Sequence, residues 1–160
     1  MRTLQNARAV VELLKAKKQS VAVAESITGG GVGAALTAVG GASDVFLGGV
    51  IAYSPAVKES LLGIEKETIA TFGVVSEEVA VAMADGIREL LGSTWGISTT
   101  GVAGPGDADG VAAGTVWIAI SGPINQTTQL EVEGEREVVR NASVSSAIST
   151  FERILGTLKQ

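Results

Sequence analysis

Ser26 lies in the segment Ala24-Glu25-Ser26-Ile27-Thr28-Gly29-Gly30, between a short apolar run and a glycine-rich stretch. A serine at such a junction can be held exposed. Free N–H groups of the following turn, those around Thr28, Gly29 and Gly30, can then face a developing oxyanion. The competing reading is a serine that only caps a turn. A second segment is Tyr53-Ser54-Pro55-Ala56-Val57-Lys58, which holds the only tyrosine and one of two lysines between residues 19 and 158. If Pro55 begins a helix, Lys58 lies in its opening turns. The helix dipole and partial burial then both lower its pKa from about 10.4, toward the neutral form a general base needs. The alternative is a solvated lysine paired with Glu59 or Glu65.

The residue types that are missing direct the pairing. The chain has no histidine and no cysteine. That excludes Ser-His-Asp triads, Cys-His dyads, imidazole or thiolate metal sites, and disulfides. A lysine amine is the main remaining group that can take a serine's proton and return it to a leaving group. Ser26 and Lys58 are therefore the candidate pair. Two further groups could serve a ligand. Thr100, Gly101, Ala103 and Gly104 belong to a glycine-dense stretch at a strand end, where backbone can approach a bound molecule closely. Its competing reading is a flexible connection. Arg136 and Arg140 stand one turn apart at the start of a helix, where cations are disfavoured unless an anion answers them. A phosphate would answer them, and so would pairing with Glu133, Glu135 and Glu137.

Two other chemistries fail on their partners. Gly29–Ala34 formally fits a dinucleotide-binding glycine pattern, but the next strand ends in Ala52-Tyr53-Ser54 with no carboxylate for a ribose. Asp107 and Asp109 bring no third metal ligand. No cofactor and no metal are expected.

The elements that must position these residues follow from periodicity. Leu4, Ala7, Val11 and Leu14 mark one helix face over 3–18. Residues 21–24 and 45–53 read as strands, and a small-residue helix lies between them. Ser54 and Pro55 start a helix that Gly63 stops. Ser76, with Glu77 and Glu78 behind it, caps a helix over 76–91 that Gly92 ends. Strands follow at 95–100, 115–120 and 126–132, the last two as an antiparallel hairpin. A final helix over 135–158 turns Val144, Ile148, Phe151, Leu155 and Leu158 to one side. Helices alternating with strands early and a hairpin late indicate an α/β sandwich with a mixed sheet of about five strands.

Composition bounds the partners. The 160 residues carry 12 Lys+Arg against 17 Asp+Glu, a net charge of −5, which argues against nucleic acid. The only basic cluster, Lys15, Lys17 and Lys18, falls where the first helix should end and complements its dipole. No apolar run reaches the roughly 18 residues of a membrane span, and the N-terminus lacks a signal-peptide core. A cytoplasmic protein of one domain, residues 1–160, is expected. Apolar helices rich in small residues leave room for a homo-oligomer.

Five co-linear motifs carry a resemblance over nearly the whole chain: AESITGG (24–30), GGVIAYSPAVKESLLG (48–63), GVVSEEVAVAMADG (73–86), TTGVAGPG (99–106) and GTVWIAI (114–120). Together they resemble the CinA C-terminal domain family, whose characterised members are nicotinamide-nucleotide amidases. The resemblance implies a three-layer α/β/α fold in stand-alone form. It also implies a hydrolase of pyridine-nucleotide salvage that converts nicotinamide mononucleotide and water to nicotinate mononucleotide and ammonia. It makes Ser26 the nucleophile, Lys58 the general base and Tyr53 an assisting hydroxyl. Gly134, Arg136 and Arg140 resemble the family's Gly-Asp-Arg-x-x-x-Arg stretch, with Glu135 in place of Asp, which favours a phosphate role for the arginines. The chain departs from the family pattern at Ile27, where Cys is frequent. It departs again at Pro55-Ala56-Val57, where Asn-Glu-Ala is usual, and at Val111-Ala112-Ala113, where Lys-Pro-Val is usual. The last two changes fall where substrate contacts are expected. Two other readings therefore stand beside the amidase: a non-catalytic nucleotide-binding or interaction module of the same fold, and a Ser-Lys amidase for another small amide.

Overall fold

The computed structural model describes residues 1–158; the expected domain's last two residues, Lys159 and Gln160, lie outside them. Five strands form one sheet in the order β2-β1-β3-β4-β5. They are β1 (Val21–Glu25), β2 (Phe46–Ile51), β3 (Trp95–Gly101), β4 (Thr115–Ser121) and β5 (Gln126–Glu131). β1 runs parallel to both β2 and β3, whereas β4 is antiparallel to β3 and to β5. The sheet is therefore mixed, as the alternation of elements predicts.

Helices cover both faces. On one lie α1 (Arg2–Lys17), α2 (Gly31–Thr37) and α6 (Arg136–Thr157); on the other lie α3 (Pro55–Leu62), α4 (Lys66–Phe72) and α5 (Glu77–Leu91). The first face holds the larger core. There Val10, Leu14, Ile148 and Phe151 meet the strand residues Val23, Trp95 and Ile97, and Phe151 packs edge-on to Trp95 at a centroid distance of 5.4 Å. Leu62, Val79, Met83 and Ile87 pack against Ala22 and Ala24 on the second face. Alanines on that side of β1 let α5 approach the sheet closely.

The helix boundaries follow the sequence signals. Ser54 Oγ accepts from the Val57 amide at 3.3 Å, and Ser76 Oγ accepts from Val79 at 3.2 Å. Gly63 and Gly92 end their helices in the left-handed conformation. Lys18 ends α1 in the left-handed conformation, Lys17 donates to the Leu158 carbonyl at 3.0 Å, and Lys15 pairs with Asp44 at 3.4 Å. The basic cluster thus serves local structure. α4 is the one helix that periodicity does not announce. It is seven residues long, buries none of them, and contains the weak helix formers Thr68, Ile69 and Thr71.

Candidate active site

The carboxyl ends of β1, β2 and β3 lie side by side in the sheet, and the chain leaving each carries one expected site segment. Ser26 directly follows β1. The amide of Ser26 donates to the Thr99 carbonyl at 2.9 Å, which extends the β1–β3 ladder by one residue and holds the serine against the sheet. After β2 the Ala52 amide donates to the Glu25 carbonyl at 2.8 Å. The chain then enters α3 through the Ser54 cap and Pro55, so the fourth helical residue, Lys58, folds back over the strand ends.

That fold-back brings Lys58 Nζ to 3.0 Å from Ser26 Oγ and 2.6 Å from the Ala52 carbonyl, to which it donates. Lys58 is only 2% exposed, and no carboxylate pairs with it among the described residues. Burial without a counter-charge disfavours the ammonium and pushes its pKa from the ordinary 10.5 down to about 8. The direction agrees with the sequence expectation. The cause is desolvation, and pairing with Glu59 or Glu65 does not occur. A neutral amine so placed can accept the serine's proton.

The pair opens into a cleft of about 350 Å³. Ser26, Lys58 and Tyr53 line it, together with Thr100, Gly101, Ala103, Gly104 and Arg136. Its apolar side includes Ile27 and the segment Phe72-Gly73-Val74-Val75 between α4 and α5. Thr100 Oγ1 donates to the Val74 carbonyl at 2.7 Å and fixes that wall. The chemistry of the residues at 72–75 does not mark them as part of the site; the one sequence signal is that Gly73-Val74-Val75 opens the motif at 73–86. Gly101 meets a packing demand: a Cβ there would lie 2.8 Å from the Thr115 carbonyl and 2.9 Å from the Ile27 side chain.

Arg136 and Tyr53 meet at the rim. Arg136 donates to the Tyr53 hydroxyl at 3.1 Å and to the Gly104 carbonyl at 2.7 Å. This ties the walls that follow β2 and β3 to the start of α6. Tyr53, 62% exposed, thus contacts the arginine and makes no hydrogen bond with the Ser26–Lys58 pair.

The remaining expected residues do not line the cleft. Arg140 donates to the carbonyls of Ile27 at 3.2 Å and Thr28 at 3.3 Å, so its guanidinium holds the turn after Ser26 from the α6 side. In a trans peptide the C=O and N–H point in opposite directions. Arg140 therefore turns the Thr28 and Gly29 amides away from α6, and the Gly29 amide donates to the Ser26 carbonyl at 3.1 Å. Thr28 Oγ1 is buried between Glu25 and Thr99. Gly29 and Gly30 take positive φ, as the tight turn requires. Around the serine, the Ile27 and Thr28 amides have no acceptor among the described residues. Neither arginine forms an ion pair with the glutamates at 133, 135 or 137.

The architecture and the site motifs agree with comparisons to known proteins. The family model of the CinA C-terminal domain matches residues 3–155. A CinA-like protein of Nostoc punctiforme is 44% identical over 157 residues, covering 94% of this chain and 38% of that protein. Another, of a Synechococcus species, is 46% identical over 147 residues, covering 89% and 35%. The chain thus spans less than two fifths of these relatives. Among solved structures, a CinA superfamily protein from Klebsiella pneumoniae superposes with a TM-score of 0.93 at 32% identity, over 98% of this chain and 99% of that one. The competence/damage inducible protein CihA of Agrobacterium tumefaciens gives 0.93 at 28% identity, over 98% and 97%. The three-layer sandwich, the co-linear motifs and these matches together place the chain in the CinA C-terminal domain family.

Proposed function

We propose that the protein is an amidohydrolase that converts nicotinamide mononucleotide and water to nicotinate mononucleotide and ammonia through an acyl-enzyme. The observation that carries this reading is the 3.0 Å approach of Lys58 Nζ to Ser26 Oγ in a buried setting without a carboxylate. Ser26 Oγ attacks the carboxamide carbon as Lys58 takes the hydroxyl proton. Lys58 then returns that proton to the departing amide nitrogen, which leaves as ammonia, and Ser26 remains esterified. In the second half Lys58 draws a proton from water, the hydroxide attacks the ester, and the proton passes back to Ser26. The Ile27 amide, which has no acceptor among the described residues and belongs to a residue that lines the cleft, is the donor available to the oxyanion.

Binding divides along the cleft. The wall of Phe72, Val74 and Val75 suits a flat heteroaromatic ring, and Arg136 at the rim suits a phosphate. Arg140 supports the turn and does not line the cleft, which leaves the phosphate to Arg136. The changed segments at Pro55–Val57 and Val111–Ala113 both reach this cleft through Pro55 and Val111, so the range of small amides accepted is set there.

Purified protein and S26A, each incubated with nicotinamide mononucleotide, test the proposal. Ammonia from the wild type alone is expected. Equal release from both overturns the nucleophile. Binding without ammonia from the wild type means a non-catalytic nucleotide-binding module, and turnover of a different amide alone means another substrate.

A further inference from the structure

Glu25 is a buried carboxylate, 2% exposed, one residue before the candidate nucleophile. No cation pairs with it among the described residues. Its partners are three donors: the Val32 amide at 2.7 Å and the Thr28 hydroxyl at 2.6 Å on Oε1, and the Gly33 amide at 3.0 Å on Oε2. The Thr28 hydroxyl also contacts Thr99 Oγ1 on β3 at 2.7 Å.

This arrangement closes a ring. The chain leaves β1 at Glu25, passes through Ser26 and the turn at 27–30, and the first turn of α2 returns onto the Glu25 side chain. α2 has no side-chain cap at its own boundary, where Gly30 stands in the left-handed conformation. Glu25 therefore supplies from the far end of the loop what a capping serine or aspartate supplies locally. Burying a carboxylate is costly unless it is fully hydrogen-bonded, and the ring meets that requirement with charge-assisted bonds.

We propose that Glu25 is the positioning residue for Ser26: its carboxylate fills the anion position at the start of α2 and so fixes the loop that aims the Ser26 hydroxyl and the Ile27 amide. The inference rests on the serine–lysine reading above. One consequence concerns the substrate. The amides of Val32 and Gly33 are occupied by the protein's own carboxylate, so these two are not free for a ligand phosphate. A second is chemical. Glutamine has the same shape but one acceptor oxygen, and its NH₂ would face an N–H or O–H donor that now meets an oxygen. Because Glu25 acts through loop geometry and lies on the α2 side of the sheet, it should leave the Lys58 titration unchanged.

The experiment compares wild type, E25Q, E25A, T28V and S26A by labelling of Ser26 with a fluorophosphonate, by kcat and KM on nicotinamide mononucleotide, and by thermal unfolding. In E25Q, labelling and kcat are expected to fall together by ~100-fold, the scale of a small misplacement of a reacting group, with KM nearly unchanged. The midpoint of its pH–rate limb should match the wild type. E25A should fall further and recover on addition of formate, a small carboxylate that fits the vacated position; formate should do nothing for S26A. T28V, which keeps the carboxylate and the side-chain volume, should lose ~10-fold in labelling. Wild-type labelling in E25Q, a loss confined to KM, or a midpoint that moves with kcat overturns the positioning role. If neither Glu25 variant folds, T28V decides, and wild-type labelling there overturns it. A wild type that neither labels nor releases ammonia overturns the serine–lysine reading and this inference with it. An active wild type with equally active Glu25 variants overturns this inference alone.

Discussion

The Ala52 carbonyl accepts a 2.6 Å hydrogen bond from Lys58 Nζ, and this contact across six residues aims the amine. A neutral amine has two N–H groups and one lone pair. With one N–H held by Ala52 and Ser26 Oγ 3.0 Å away, an amine that has lost its proton can present its lone pair to the serine hydroxyl. Ala52 is thus the third group that orients a base toward its nucleophile, the part a carboxylate plays beside histidine. A carbonyl suits lysine better, because a carboxylate would stabilise the ammonium.

The rate should follow the Lys58 titration. Below about 8 the amine carries a proton and cannot accept another. kcat/KM for amide hydrolysis is therefore expected to rise about tenfold per pH unit below that value and to level off above it. A pH–rate profile from 6 to 10 checks this, and a flat profile contradicts it.

Lys58→Met should abolish activity and yet stabilise the fold. The native pKa lies below the unfolded value, so the unfolded chain binds more protons between about 8 and 10.5. Stability of the wild type then rises with pH across that window, and the full penalty is present below it. The fall from 10.5 to about 8 corresponds to ~3 kcal/mol at ~1.4 kcal/mol per pKa unit. Allowing for the lost hydrogen bonds, a gain of ~1–3 kcal/mol is expected at pH 7, shrinking as pH approaches 10.5. Urea unfolding of both proteins at pH 7 and pH 10 measures it.

Arg136 and Tyr53 should separate in steady-state kinetics. Removing a charge-assisted contact to a phosphate costs ~1.5–3 kcal/mol, so Arg136→Ala is expected to raise KM by ~10–100-fold with a smaller effect on kcat. Tyr53→Phe removes only the hydroxyl that receives Arg136. A KM increase of a few-fold is expected there. A collapse of kcat in Tyr53→Phe instead would give the hydroxyl a direct part in proton transfer.

Gly86 on α5 faces the end of α3 at Leu62. A Cβ there would lie 2.2 Å from the Leu62 carbonyl, so Gly86→Ala must push apart the helix that carries Lys58 and the helix behind it. A loss of ~1–3 kcal/mol is expected, together with a lower kcat. Gly40→Ala, with nothing within 4 Å of the added carbon, is the control and should change neither. Thermal unfolding and initial rates of the two variants decide the matter.

Local chemistry accounts for what was legible beforehand. Ser54-Pro55, Ser76 and the glycines at 63 and 92 set helix ends because caps and left-handed turns depend on a few adjacent residues. Five strands and the mixed sheet followed from apolar runs of strand length and a late hairpin. α4 did not, because a short helix that buries nothing leaves no periodic stripe. By type and spacing Arg140 matches Arg136 and looks like a ligand group. Only packing shows that its guanidinium faces the Ile27 and Thr28 carbonyls and not the cleft. For Glu25 the sequence offers only its place in the segment around Ser26.

What the sequence determined by itself was a short list of reactive groups: with neither histidine nor cysteine present, a serine nucleophile has to look to lysine. It also determined the elements that carry them. Tertiary structure decided which groups meet and in what solvent. Ser26 and Lys58 are 32 residues apart and approach only because β1 and β2 pair in parallel with their carboxyl ends together. The role of Glu25 arises from the α2 amides that the fold brings back onto it, and the lowered pKa of Lys58 from desolvation. Desolvation depends on every chain segment that closes around a group, and no local pattern of residue types records it.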